Sequence, residues 1–125
     1  MTIIVTDTGF GPETFTGTWA DLAPDASDDA LHEALAQNSA IRVQFPAFSD
    51  GRGFTLAARL RRMGFSGRLR AQGHVIADQY AMARRSGFDE VEISAELATR
   101  QPESQWLARA DWRANDYRRK LRRAG

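Results

Sequence analysis

An α/β fold built on a parallel sheet is predicted by three features of the sequence. Short β-branched or alternating segments take turns with helical ones, and the unit recurs at roughly 24 residues. Two of the helical segments also end on the same pair, Gly64-Phe65 and Gly87-Phe88. Alternation of short strands and helices builds a parallel sheet with right-handed crossovers. A doubly wound sheet and a partial β/α barrel both fit this pattern.

In chain order, Ile3-Ile4-Val5 is a short β-branched run, and residues 6–12 (TDTGFGP) read as turn. Residues 15–19 (FTGTW) form a second short strand, completing an N-terminal hairpin or edge. After a polar loop, Asp28 and Asp29 suit a helix N-terminus, and Ala30, Leu31, Ala34 and Leu35 carry helical spacing to about Gln37. Residues 41–45 (IRVQF) are a strand followed by the loop PAFSDGRG. Leu56, Ala57, Leu60 and Met63 then share a helix face, which Gly64 terminates.

Residues 67–71 (GRLRA) are the next strand, a helix spans about 75–85, and residues 88–93 (FDEVEI) are the third strand. A glycine just past each helix supplies a left-handed C-cap, against which the following phenylalanine packs. Residues 95–105 are polar, with a break at Pro102, and a C-terminal helix follows. The expected organisation is one domain over 1–125. It comprises N-terminal strands and loop over 1–26, a βαβαβ core over 40–94 and a C-terminal helix over 104–123.

Composition narrows the function classes. The chain has 125 residues, enough for one hydrophobic core. It has no cysteine, which excludes disulfides, thiolate nucleophiles and cysteine-bound zinc or iron–sulfur clusters in this chain. His32 and His74 lie far apart and outside any metal-spacing motif, so no metal is expected. No apolar run approaches the length of a membrane span, and the N-terminus lacks the pattern of a secretory signal. A cytoplasmic protein is expected. A net charge of +1 gives no field favouring nucleic acid. The basic residues are nearly all arginine, with Lys120 the one lysine.

In parallel α/β sheets ligands bind outside the carboxyl ends of the strands. The loop after the first strong strand carries Asp50, Gly51, Arg52 and Gly53 at a helix start. Backbone N–H groups there, with an arginine, suit an oxyanion. The alternative is structural: Asp50 caps the helix and pairs with Arg52 while the glycines shape the turn. The second strand and its loop add Arg70, His74, Asp78 and Gln79. Asp50, His74 and Asp78 are the candidates for acid–base chemistry. Gly51, Arg52, Gly53, Arg70 and Gln79 are the candidates for anion binding. Trp19, Trp106, Trp112 and Tyr117 suit core or partner contacts better than a stacking platform. The basic run at 118–123 complements a helix C-terminus.

Two stretches, F-P-A-F-S-D-G-R-G from Phe45 and L-R-A-Q-G-H-V-I-A-D-Q from Leu69, resemble an uncharacterised bacterial family labelled as oxidoreductases of sulfite reduction. The family pattern F-P-x-F-x-D-G-R-G and L-R-A-x-G-x-V-x-x-D-Q is met at every specified position. The resemblance implies a setting in assimilatory sulfate reduction, beside a sulfite reductase, and supplies no catalytic residues. The sequence has no flavin, nicotinamide, haem or iron–sulfur motif, and no cofactor is expected.

The leading expectation is an accessory protein that binds a small oxyanion or docks on sulfite reductase, with a homodimer as a further arrangement. The alternatives are a small-molecule enzyme pairing Asp50 or Asp78 with His74, and an oxidoreductase using a partner's cofactor. Neither a membrane nor nucleic acid is expected as a partner.

Overall fold

A computed structural model describes residues 2–113. Six strands form one sheet: β1 (Thr2–Thr6), β2 (Gly9–Gly11), β3 (Ala20–Leu22), β4 (Ala40–Phe45), β5 (Arg68–Gly73) and β6 (Glu90–Ser94). Their order across the sheet is β2-β1-β6-β5-β4-β3. The strands from β3 to β6 are parallel neighbours in sequence order, and β1 runs antiparallel to both β2 and β6. A doubly wound sheet reverses direction part-way; here every crossover steps the same way, as in a partial barrel. The sheet stays open, with β2 and β3 as its edges.

Among the described residues five α-helices accompany it: α1 (Asp28–Gln37), α2 (Arg52–Arg62), α3 (Tyr80–Ser86), α4 (Ala95–Arg100) and α5 (Glu103–Leu107). Each contributes to one core, through Leu31, Leu60, Tyr80, Leu97 and Trp106 among others. The sheet side of that core is Val5, Leu22, Ile41, Val43, Phe45, Leu69, Ala71, Val91 and Ile93, alternate residues on neighbouring strands.

The Gly-Phe stops form as their sequence predicts. At the end of α2, Phe65 N–H reaches the Leu60 carbonyl and Gly64 N–H that of Arg61. At the end of α3, Phe88 N–H reaches Ala83 and Gly87 N–H reaches Arg84. These are paired Schellman bonds. Gly64 and Gly87 sit at φ +100° and +118°, and both phenylalanines are buried. Arg61 joins the two stops, donating to the carbonyls of Phe65, Gly67 and Gly87.

Several boundaries differ from expectation. The partner of β1 is β2, reached by a two-residue turn at Asp7-Thr8. Residues 15–19 are not a strand: 12–19 is an irregular strap joining β2 on one edge to β3 on the other. That crossing spans five inter-strand steps, about 24 Å at about 4.8 Å each. The nine residue steps from Gly11 to Ala20 reach about 30 Å when extended, so the strap runs nearly straight from edge to edge across the strands and cannot lie along one of them to join a ladder.

The helix expected from about residue 75 starts instead with a 3₁₀ turn (Ala77–Gln79) leading into α3. Within the segment read only as polar, Ser94 caps α4 by accepting from Leu97 N–H at 3.1 Å. Ser27 caps α1 by accepting from Ala30 N–H. The C-terminal helix expected over 104–123 is not continuous: α5, which buries Trp106, ends at Leu107, residues 108–111 are turn and irregular chain, and residues 114–123 lie outside the described residues.

Candidate functional site at the strand ends and polar sheet face

The second face of the sheet is charged. Alternation places Arg42 and Gln44 of β4, Arg68, Arg70 and Gln72 of β5, and Glu90 and Glu92 of β6 on it in register. Arg70 is fully buried at its centre. Its Nε donates to Glu90 at 2.7 Å and Nη1 to Glu92 at 2.8 Å. Nη1 and Nη2 together grip the Glu13 carboxylate of the strap at 2.6 and 2.7 Å.

Arg68 forks onto Glu90, while Arg42 forks onto Asp21 of β3 and also reaches Glu92. The Trp19 ring covers the Arg70 guanidinium at 4.4 Å and that of Arg42 at 5.6 Å; Phe15 covers Arg68 at 5.2 Å. Burial opposes the charge on Arg70, but the surrounding carboxylates outweigh it and raise its pKa. The Arg70 hydrogen bonds, against a smaller desolvation effect, hold the Glu13 carboxyl down at about 2. Every buried side-chain polar atom among the described residues has a partner.

Above this row the face opens at the carboxyl ends of β4, β5 and β6. A cleft of about 400 Å³ is lined there by Gln44, Gln72, Glu92 and His74, among others. A second cavity of about 240 Å³ adjoins it, sharing Gly73, His74 and Ser94 and adding Phe48, Glu96 and Arg100. His74 therefore stands where the two meet.

Its position follows from Gly73, at φ +118°, where a Cβ would lie 2.6 Å from the Phe45 carbonyl oxygen. That close turn lets His74 N–H donate to the same carbonyl at 2.9 Å and brings ring Nδ1 to 3.2 Å from it. Phe48 packs edge-on against the imidazole, with centroids 5.1 Å apart. Nδ1–H donation to the Phe45 carbonyl is the consistent tautomer, which leaves Nε2 as the ring's acceptor.

The other nominated residues are placed differently. Asp50 accepts from Arg52 N–H at 3.1 Å and from its guanidinium at 2.9 and 2.7 Å. Those hydrogen bonds hold the Asp50 carboxyl below its ordinary range. The helix-start amide and the arginine offered to an oxyanion thus already share one carboxylate, that of Asp50. Gly51 is the N-cap residue, and Gly53 lies against the Phe45 ring. Asp78 is exposed and pairs with Arg109 at 2.7 Å. Gln79 closes its own turn by accepting from Ile76 N–H, and its amide donates to the Phe48 carbonyl at 2.9 Å, tying the two strand-end loops together. The cavities at His74 are lined by neither Asp50 nor Asp78.

Arg70 points into the charged face instead of the loops. Sequence reasoning missed its partners Glu13, Glu90 and Glu92; the signal that could have found the last two is the every-second-residue charge pattern in RLRAQ and EVEIS.

A sequence model of a family described as bacterial proteins of unknown function, DUF934, matches residues 20–124. The chain belongs to the DUF934 family. The match takes in the parallel strands from β3 to β6 with their crossover helices, and both strand-end loops. No curated protein and no solved structure matches this DUF934 chain. Among its described residues no helix is long and apolar enough to cross a membrane.

Proposed function

We propose that this DUF934 protein is an accessory binding protein of assimilatory sulfite reduction, holding a small oxyanion or docking on the reductase through the strand-end cleft and the charged face beneath it. The observation that carries the reading is how the acidic groups are used. Asp50 is engaged by Arg52 and Asp78 by Arg109, while His74 stands in an open cleft with a backbone carbonyl as its hydrogen-bond partner. The acid–base pair expected of an enzyme, Asp50 or Asp78 with His74, is therefore not assembled in the cleft. A binding cleft needs only shape and a few polar groups.

The pathway comes from the resemblance of the Phe45–Gly53 and Leu69–Gln79 motifs. Its test is growth of a deletion strain on sulfate, sulfite, sulfide or cysteine as sole sulfur source. Growth on sulfide and cysteine alone supports the reading, and complementation by His74→Ala then tests the cleft. Normal growth on all four sources removes the pathway assignment.

A further inference from the structure

We propose that the Glu13 carboxylate is a tethered occupant of an oxyanion site on Arg70, and that the strap over residues 12–19 is the gate of that site. The proposal rests on the oxyanion half of the reading above and names its residue and its regulation.

The site is built by the strands. Arg42, Arg68, Arg70, Glu90, Glu92 and Asp21 all project from β3 to β6 onto one face. These six are balanced, three arginines against three carboxylates. Glu13 is a fourth carboxylate, so charge neutrality does not call for it. It is also the one acid of the network that comes from irregular chain, and it is exposed while Arg70 is fully buried.

The contact itself has the geometry of ligand recognition. Two guanidinium nitrogens donate in parallel to two carboxylate oxygens, at 2.6 and 2.7 Å, while the same Nη1 also reaches Glu92 and the same Nη2 also contacts Glu90. That fork matches any small oxyanion or carboxylate with two adjacent oxygens. Trp19 and Phe15 sit on the same strap as Glu13, over Arg70 and Arg68, so release of the carboxylate would free the aromatic cover as well.

A tethered group competes at an effective concentration in about the millimolar range or above. Glu13 therefore suppresses weak external anions and yields only to a tighter one. The exchange replaces one carboxylate on Arg70 by one oxyanion, with no covalent change.

The test uses the full chain with sulfite and acetate as probes and chloride at equal ionic strength as control. The readouts are the NMR signals of the Arg70 side chain and Trp19 indole, together with melting temperature. Glu13→Ala is expected to bind sulfite or acetate saturably and at least ten times more tightly than wild type. Adding Arg70→Lys, which cannot fork, should abolish the gain.

A folded Glu13→Ala that shows no saturable shift, or responds equally to chloride, overturns the proposal. Should Glu13→Ala fail to fold, recovery of native signals with sulfite or acetate but not chloride supports the site, and no recovery with any of them overturns it. Sulfur-source growth is a separate outcome: normal growth of the deletion strain removes the pathway and leaves the Arg70 site standing.

Discussion

Gly53→Ala distinguishes a glycine kept for packing from one kept for a ligand's approach. In a helix the exchange ordinarily stabilises by about 0.5–1 kcal/mol. Here the new methyl would lie 2.4, 2.7 and 2.9 Å from three carbons of the Phe45 ring. That ring cannot swing away easily: it is buried, with the Phe54 and Phe88 centroids at 5.0 and 5.8 Å. Overpacking a tight core costs about 1–3 kcal/mol. The clash should outweigh the helix gain, for a net loss of about 0.5–2 kcal/mol. In a domain of this size that lowers the melting temperature by about 2–8 °C. Gly51→Ala is the control, since its nearest neighbour would be Phe54 at 3.9 Å; it should stay within about 0.5 kcal/mol of wild type. Phe45→Leu combined with Gly53→Ala should lose less than the two single losses together, because the smaller side chain makes room. Urea unfolding compares the four variants, Phe45→Leu alone included, with wild type. A Gly53→Ala protein as stable as wild type, or more so, would refute the packing argument.

Three further outcomes follow from the same contacts. Asp7→Ala strips the acceptor from the fully buried Tyr80 hydroxyl, which donates to it at 2.5 Å; it should cost about 1–3 kcal/mol and more than Tyr80→Phe, and equal losses in urea unfolding would count against that anchor. Arg61→Ala leaves three carbonyls at the two helix stops without their donor, so a loss of about 2 kcal/mol is expected, with Arg61→Lys recovering less than half by calorimetry. Glu13 has its folded pKa depressed from an ordinary 4.5 to about 2, so its anchoring is fully present above pH 4.5 and is lost as pH falls towards 2. The Trp19 indole signal should track that loss in wild type and not in Glu13→Gln, and identical titrations of the two would exclude Glu13 as the anchor.

What was legible in the sequence was local. Gly64-Phe65 and Gly87-Phe88 announce their helix stops because a Schellman turn is written in adjacent residues. The Asp50–Arg52 pairing is equally local and is present, although Gly51 and not Asp50 is the N-cap residue. Contacts over long separations were not legible. Tyr80 finds Asp7 across 73 residues, and Arg70 finds Glu13 across 57. The strap looked like a strand because FTGTW has strand composition. Its conformation is set instead by the distance between the sheet edges that it joins.

The charged face follows from the winding. When every crossover steps in one direction, the helices gather on one side and the other face of a parallel sheet loses its usual apolar cover. Alternation of polar with apolar residues in β4, β5 and β6 fits that circumstance, since an apolar second face would be a large exposed patch. Burying Arg70 and its carboxylates carries a desolvation cost that consumes much of what the hydrogen bonds with Glu13, Glu90 and Glu92 gain. Such a network is therefore a weak source of stability. A strand-borne arginine held in place by Glu90 and Glu92, and covered by a strap rather than by a helix, is arranged more economically for exchange of its outermost carboxylate than for stability. On that ground the Arg70–Glu13 contact is the part of the network where binding chemistry should be sought first.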